Sequence, residues 1–269
     1  MDRVFALLDG QKWNELREVL PANVKCHMGG LQLDREGWLG FSQAFYGGFP
    51  DGRHDHETAL AHGEHVTFTG TYRGTHRGDF QGIAPTGRAI ALPYVCLVRA
   101  QEGRVVEIWA QFDSAGLLAQ LGALPATGAA DAAAPAGSVT RGDTAGVVTQ
   151  MYAACDRGDW DACRTLVAEN ATAHIGGNTM DRDAWMGMGK MFVGAFSPAK
   201  HAFTHVLVSG DRVTTIGTFS GTHTGDFMGV PATGKKVSFP VIHVDRVVDG
   251  RIVEHRGEFD PTLLMKQLS

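Results

Sequence analysis

The chain has 269 residues, of which 43% are hydrophobic and 20% charged, and its formal net charge is −5. This composition is typical of a globular protein, and without a basic run it excludes the electrostatic footprint of a nucleic-acid binder. The apolar run at 4–8 is too short for a signal or membrane segment, so we expect no membrane partner and a cytoplasmic location.

The chain repeats itself. Residues 70–87 recur in recognisable form at 217–234, a displacement of 147 positions. The same displacement superposes Trp13 on Trp160 and holds without a gap to both ends of the chain. One domain has therefore been duplicated, and two copies are too few for a solenoid.

Domain boundaries follow from the repeat. We predict a first copy at 1–122 and a second copy at 143–269, each long enough to bury its own core. The segment 123–142 is rich in Ala, Gly and Pro and is predicted to be a linker. Asp143 stands where the first helix of the second copy could begin.

Each copy opens with apolar residues at helical spacing, which Pro21 ends in the first copy. Asp34 and Asp181 are predicted N-caps of the next helix in each copy. In the first copy four strand-like runs follow, at 54–62, 65–77, 88–100 and 104–113. The second copy has equivalent runs 147 positions later. A short helix closes each copy. Helices followed by an antiparallel sheet predict an α+β fold.

The last two strands of each copy are joined by tight turns, Glu102-Gly103 and Asp249-Gly250. A two-residue turn places Val248 opposite Arg251, and extending that register predicts which side chains share a face. In the second copy one face then gathers a histidine, an arginine and four carboxylates: His243, Asp245, Glu254, Arg256, Glu258 and Asp260.

This crowding can separate the pKa values of neighbouring groups, so His243 and Glu258 are the predicted acid/base pair, with Asp260 beside them and Arg256 as a substrate contact. An outward, salt-bridged face is the alternative. In the first copy the same register groups Tyr94, Trp109 and Asp113 on one face as substrate contacts. Asp113 and Asp260 already have a structural explanation as caps of the final helices.

Other residues could line a pocket. His27 and His174 are candidate polar anchors, although core histidines bonded to backbone would look the same. Trp38, Trp185 and Trp109 could form apolar walls or simply pack in the core.

No metal site or cofactor is implied by the pattern. His54 and His56 could share a strand face, but the second copy has phenylalanine in place of the second histidine. The four cysteines occupy unmatched positions without a Cys-x-x-Cys motif, and we predict that they are structural and reduced.

Three segments carry a resemblance to a known family. The first is Gly-x-x-x-Gly-Thr-His-x-Gly-Asp-Phe, which occurs in both copies, and the second is Asp-Gly-Arg-Ile-Val-Glu-His, which ends at His255. The third is the aspartate followed by Leu-Leu-x-Gln-Leu that ends the first copy, from Asp113 to Leu121. They resemble the SnoaL-like polyketide cyclases (ester cyclases) of the nuclear transport factor two-like superfamily. The resemblance implies two tandem cone-shaped α+β barrel domains, each with helices packed on a strongly curved, mostly antiparallel sheet around a pocket.

In that family the implied reaction is an intramolecular aldol ring closure driven by side-chain acid/base groups, without metal or cofactor. The family's catalytic carboxylate lies in the last strand. If it aligns with Ala110 and Gly257, both copies have lost it.

Three functions remain open. The first is a cofactor-independent cyclase, isomerase or lyase acting on a small hydrophobic carbonyl or polyketide-like compound, with the second copy active. The second is a non-catalytic binder of a small apolar ligand, which Ala110 and Gly257 favour. The third is a scaffold in which the copies form an internal pseudo-dimer, with a homo-oligomer also possible.

Overall fold

Two six-stranded sheets form the framework of the protein in the computed structural model, which describes residues 2–124 and 143–269. The chain divides into two compact units, Met1–Thr127 and Gly128–Ser269. All but two residues of the predicted linker lie outside the described residues, so the boundaries at 122 and 143 stay predictions.

The two copies have the same order of elements. In the first copy these are α1 (Asp2–Asp9), α2 (Trp13–Val19), β1 (Lys25–Met28), β2 (Leu31–Leu33), α3 (Arg35–Gly48), β3 (Arg53–His62), β4 (His65–Thr75), β5 (Ala89–Gln101), β6 (Arg104–Phe112) and α4 (Ser114–Leu121). In the second copy they are α5 (Thr144–Asp156), α6 (Trp160–Leu166), β7 (Val167–Ile175), β8 (Asn178–Asp181), α7 (Arg182–Ala195), β9 (Lys200–Ser209), β10 (Arg212–Thr222), β11 (Lys236–Val248), β12 (Arg251–Phe259) and α8 (Pro261–Leu268).

The strand orders also match, β2-β1-β6-β5-β4-β3 in the first sheet and β8-β7-β12-β11-β10-β9 in the second. β1 lies parallel to β6 and β7 parallel to β12, while the other pairs are antiparallel. The α+β prediction is confirmed. No helix among the described residues has the length and apolar character needed to span a membrane.

Aspartate side chains begin helices as predicted. One carboxylate oxygen of each accepts a hydrogen bond of 2.8–2.9 Å from a backbone N–H two or three residues later, at Asp34, Asp113, Asp143, Asp181 and Asp260. Each bond satisfies an N–H group that the first helical turn leaves without an internal partner.

The opening helix is divided into α1 and α2, a break that the apolar spacing did not reveal. Gln11, between them, adopts a left-handed conformation with φ of 53°. Gly158 holds φ of 69° at the matching break between α5 and α6. The spacing of apolar residues continues across the break, so the reversal of the backbone leaves little trace in it.

The predicted hairpin turns are present. Both turn residues have positive φ, 50° and 75° at Glu102 and Gly103 and 50° and 73° at Asp249 and Gly250. This is the geometry of a tight two-residue hairpin.

In the second copy, a β-bulge next to the Asp249-Gly250 turn changes which side chains of β11 and β12 share a face of the sheet. Val247 pairs with Ile252, but the next pair is Arg246 with Glu254, so Val253 is an extra residue on β12. One extra residue changes which side chains lie opposite each other, because successive strand side chains point to opposite faces.

The inner face of the second hairpin, defined as the face that lines the cavity, therefore carries His243 beside Gly257 and Asp245 beside His255. Glu258 pairs with Ile242 and belongs to the opposite face. The predicted His243–Glu258 pairing on one face was wrong, because the turn alone does not set the register beyond the bulge.

The first hairpin has the same bulge between Arg99 and Ala100. Beyond it Cys96 pairs with Ala110 and Leu97 with Trp109, so Trp109 lies on the face opposite Ala110. The shared bulge shows that both copies depart from simple turn geometry at the same place.

Gly217 lies at another bulge, between β9 and β10, and replacing it with alanine should destabilise the second copy. A Cβ atom there would lie 2.2 Å from the Ala202 carbonyl oxygen and 2.7 Å from the Phe203 Cα, and both are backbone atoms. We expect Gly217→Ala to lower the free energy of unfolding in urea by about 1–3 kcal/mol. Gly187→Ala is the control, since a Cβ there meets nothing within 4 Å. Equal losses in both variants would contradict this account.

Candidate functional site

A cavity of about 120 Å³ lies in the second copy. Its wall is mostly apolar and is formed by helices α5, α6 and α7 and strands of the sheet, with large side chains from Trp160, Trp185, Phe192, Phe219 and Phe239. The polar side chains Tyr152, His201, His243 and His255 also line it. An apolar enclosure with a few convergent polar groups is the usual form of a small-molecule site.

His255 and Asp245 form a buried imidazole–carboxylate pair. They are cross-strand neighbours on β12 and β11, and Nδ1 of His255 lies 2.8 Å from Oδ1 of Asp245. Their exposed fractions are 2% and 0%. When Nδ1–H donates to the carboxylate, neutral imidazole keeps its lone pair on Nε2. The ring of Trp185 stacks on His255 at 4.4 Å and 15° and so restricts its orientation.

Gly257 makes room for Nε2 of His255. A Cβ atom at position 257 would lie 2.6 Å from that nitrogen, and Gly257 itself lines the cavity. Within residues 2–124 and 143–269, Nε2 of His255 has no hydrogen-bond partner. The imidazole is therefore held at one nitrogen and available at the other.

His201 and Asp156 form a second pair at the same cavity. Nδ1 of His201 lies 2.6 Å from Oδ1 of Asp156, and the His201 backbone N–H donates to Oδ2 at 2.7 Å. The first copy repeats this arrangement in His54 and Asp9, with distances of 2.7 and 3.0 Å. Both contacts join residues 45 positions apart in sequence.

His243 stands between the two pairs. Its ring centroid lies 5.4 Å from that of His255 and 5.9 Å from that of His201. Nδ1 of His243 lies 3.2 Å from the Thr215 hydroxyl, and the Tyr152 ring stacks on it at 4.7 Å. Burial, followed by the neighbouring His255 and His201, lowers the pKa of His243 well below its usual range. His243 is therefore neutral at pH 7.

Tyr152 adds a hydroxyl donor. Its Oη lies 3.4 Å from Oδ2 of Asp245 and 3.5 Å from Nδ1 of His255. Burial, and then the charge of Asp245, raise the pKa of Tyr152 well above its usual range. The phenol therefore stays protonated and can donate to the carboxylate.

The buried neutral His243 predicts a pH-dependent stability. An unfolded histidine binds a proton near its usual pKa of about 6.5 but folded His243 does not, so stability is lost as the pH falls below that value. We expect this group to contribute up to about 1.4 kcal/mol per pH unit to the loss of unfolding free energy between pH 6.5 and 5. His243→Cys, which installs the residue of the first copy, should remove that part of the slope in urea titrations. Equal slopes in the two proteins would contradict the assignment.

The first copy has a similar cavity of about 110 Å³, with Trp38 and Tyr94 in its wall. Its chemistry differs. At four positions that carry polar groups in the second copy, the first copy has apolar or weakly polar residues: Phe5 for Tyr152, Cys96 for His243, Val98 for Asp245 and Ile108 for His255. The first cavity thus retains the His54–Asp9 pair and lacks the second pair.

Several predicted site residues lie in these walls. Trp38 and Tyr94 line the first cavity, and Trp185 and His243 line the second. Glu258 also contributes to the wall of the second cavity and is buried, but strand alternation directs its side chain away from the His243 face.

Other predicted residues are placed elsewhere. His27 stacks on Trp109 at 5.3 Å and 10°, and its Nε2 lies 3.0 Å from Glu107, on the face opposite the first cavity. His174 lies 3.0 Å from the Thr179 hydroxyl through Nδ1. None of His27, Trp109 and His174 lines either of these two cavities.

Arg256 lies 3.5 Å from Glu254 on the face opposite His255. Asp113 and Asp260 act as the helix caps already described, which was the alternative explanation of both. In the part of the chain that the structure describes, no three His, Cys, Asp or Glu side chains are arranged to hold a metal ion.

Sequence reasoning did not assign roles to His255, Asp245, His201, Asp156 or Tyr152 as a cluster. A signal was present for one pair, because Asp9 and His54 recur as Asp156 and His201 at the 147-residue displacement.

Comparison with known proteins gives consistent matches. The model of the SnoaL-like polyketide cyclase family matches residues 1–121 and 146–268. Over 36 residues, 13% of this chain, the sequence is 50% identical to the aklanonic acid methyl ester cyclases DnrD of Streptomyces peucetius and DauD of Streptomyces sp. (strain C5). The match spans about a quarter of the length of these curated relatives, 25% and 22%.

Solved structures are similar to one copy at a time. IdmH of Streptomyces antibioticus is 30% identical, with 47% of this chain and 99% of that chain covered and a TM-score of 0.44. AclR of Streptomyces galilaeus is 25% identical, with 47% and 95% covered and a TM-score of 0.45. With both copies matched almost from end to end by one family model, the chain belongs to the SnoaL-like polyketide cyclase family.

Proposed function

We propose that the second copy is a cofactor-independent cyclase that closes a ring in a small hydrophobic carbonyl or polyketide-like compound by general acid/base catalysis. The observation that carries this proposal is the convergence of two imidazole–carboxylate pairs, His255–Asp245 and His201–Asp156, on one apolar cavity. One pair can remove a proton while the other supplies one.

His255 is the proposed base. Its Nε2 takes a proton from a carbon next to a substrate carbonyl, and Asp245 stabilises the imidazolium that results through the 2.8 Å contact at Nδ1. The mostly apolar wall limits the water that could compete for the enolate.

His201 is the proposed acid. The enolate carbon attacks a second carbonyl of the same molecule, forming a carbon–carbon bond while the carbonyl electron pair moves onto its oxygen. His201, protonated and paired with Asp156, donates a proton to that oxygen from Nε2. Solvent then takes up the proton held by His255 and supplies a proton to His201, so that both rings return to their starting states.

His243 has a positioning role in this scheme. Because it is neutral, it separates the two pairs without adding a positive charge that would oppose protonation of either ring. Trp185 and Tyr152 stack on His255 and His243 and keep the rings in place.

A named relative suggests the substrate to test first. The curated relatives are called aklanonic acid methyl ester cyclases, and this chain matches them at 50% identity over a short stretch. Aklanonic acid methyl ester is therefore our proposed test compound.

For the first copy we propose binding without turnover. Val98 and Ile108 replace the second pair, while a cavity with apolar walls remains. A small apolar ligand fits this lining. The internal pseudo-dimer, a homo-oligomer and a cytoplasmic location stay predictions.

Matched variants test which copy is active. We expect His201→Asn to lower kcat for aklanonic acid methyl ester by about 100-fold, because acid/base groups typically contribute at least that much. His54→Asn makes the same change in the first copy and should leave turnover unchanged. Product can be followed by liquid chromatography with mass detection. Equal losses in both variants, or turnover that survives His201→Asn, would refute the assignment of catalysis to the second copy.

A further inference from the structure

Two thiols lie in contact behind the second cavity. Sγ of Cys155, on α5, is 3.0 Å from Sγ of Cys163, on α6. The thioether of Met151 is 3.5 Å from Cys155. Cys155 lines the cavity and Cys163 is fully buried.

The first copy shows that packing does not require thiols at these places. The residues 147 positions earlier are Leu8 and Leu16, which are buried with exposed fractions of 5% and 0%. A leucine pair fills the corresponding space between α1 and α2. The second copy therefore carries two sulfur atoms where the first copy buries two apolar side chains.

The geometry points to a modification site: Cys155 and Cys163 form a reversible disulfide when the protein meets a peroxide. The two sulfurs need to approach by about 1 Å, which a small side-chain rotation can supply. Formation of this disulfide uses none of the acid/base groups proposed for the cavity.

The chemical steps balance. The sulfur of Cys155, reached through the cavity, attacks a peroxide oxygen; the O–O bond breaks, and a sulfenic acid and water form. The sulfur of Cys163 then attacks that of Cys155, so that the S–O bond breaks and a second water leaves. Two thiols lose two electrons and two protons, and the peroxide takes up both.

The electrostatics of the pair suit the second of these steps, in which Cys163 is the nucleophile. The S–H of Cys155 donates to Cys163, which lowers the pKa of Cys163 and raises that of Cys155. Cys163 is thus suited to attack an oxidised Cys155. Cys26 and Cys96 are buried free cysteines of the first copy and serve as internal controls.

A disulfide here would act on the proposed acid. Asp156 follows Cys155 directly and holds His201 at 2.6 Å. In a reducing compartment such a bond would be transient, as in redox-sensing proteins. The thiol pair thus couples the oxidation state of the chain to the position of one ionisable group in the cavity.

Peptide mapping tests the site without any assay of turnover. The reduced full chain is treated with one equivalent of hydrogen peroxide, alkylated with iodoacetamide and digested with trypsin, which cuts at Arg157 between the two cysteines. We expect the Cys155 and Cys163 peptides to be joined, and to separate after reduction, while Cys26 and Cys96 are alkylated. Alkylation of all four cysteines, or equal oxidation of Cys26 and Cys96, would overturn the proposal.

Cys163→Leu is the matched variant, because the first copy has leucine there. It should form no joined peptides, and dimedone should trap a sulfenic acid on Cys155 instead. If dimedone labels no Cys155 under conditions that oxidise the unmodified chain, the proposed order of attack is wrong.

Discussion

Turnover should fall by about 10²- to 10⁴-fold when Tyr152→Phe, Asp245→Val and His255→Ile are combined, because this variant lacks the proposed general base. The three new side chains are those that the first copy has at the corresponding positions. They remove a buried phenol, carboxylate and imidazole together, so no polar partner of this trio is left alone in the core. Replacing a buried ionic pair by apolar groups is often neutral or stabilising, by up to about 4 kcal/mol.

Two measurements on the triple variant decide the outcome. Urea denaturation should show an unfolding free energy at least as high as that of the parent chain, and ligand binding should persist while product formation is lost. Ile108→Leu, a conservative change at the position corresponding to His255, serves as the control and should keep full turnover. Parental turnover in the triple variant would show that His255 is not the base.

Removing one partner alone should be far more damaging to stability. His255→Ile leaves the Asp245 carboxylate, with an exposed fraction of 0%, without its imidazole. The Tyr152 hydroxyl, 3.4 Å away, is the weaker remaining contact. Breaking a buried pair in this way typically costs about 3–5 kcal/mol of unfolding free energy. We expect that loss in urea titrations at pH 7.

A second substitution checks the physical reason. Adding Asp245→Val to His255→Ile should recover most of the lost free energy, since the unpaired charge is then gone. If the double variant is as unstable as the single one, the loss comes from packing around position 255. In that case the pair would not be the structural unit proposed.

Local patterns were enough to predict most of the fold. The duplication was visible because the sequence matches itself at a displacement of 147 positions. The helix caps at Asp34, Asp113, Asp181 and Asp260 were predictable because each side chain bonds a backbone N–H only two or three residues later. The turn at Asp249-Gly250 needs positive φ at both residues and was equally local.

The site depended on contacts that local patterns do not fix. The extra residue Val253 changed the expected register between β11 and β12, and this decided whether His243 shares a face with Glu258 or with Gly257. With the observed register, Asp245 and His255 become neighbours. The bulge has no sequence marker comparable to a glycine in a turn, because Val253 is an ordinary strand residue.

Contacts between distant elements were also out of reach. His201 meets Asp156 because β9 packs beside α5, a consequence of how the whole second copy folds. Their recurrence as His54 and Asp9 was visible, but recurrence alone does not distinguish a structural contact from a catalytic one.

The glycine at position 257 has a consequence for the evolution of such tandem chains. An imidazole at the position of His255 needs the space that a methyl group at Gly257 would occupy, since a Cβ there would come within 2.6 Å of its nitrogen. The first copy has Ala110 at that place, beside Ile108 on the same strand. A histidine acquired in the first copy in the same orientation would meet that methyl group, so we expect an Ala110→Gly change to make room for it.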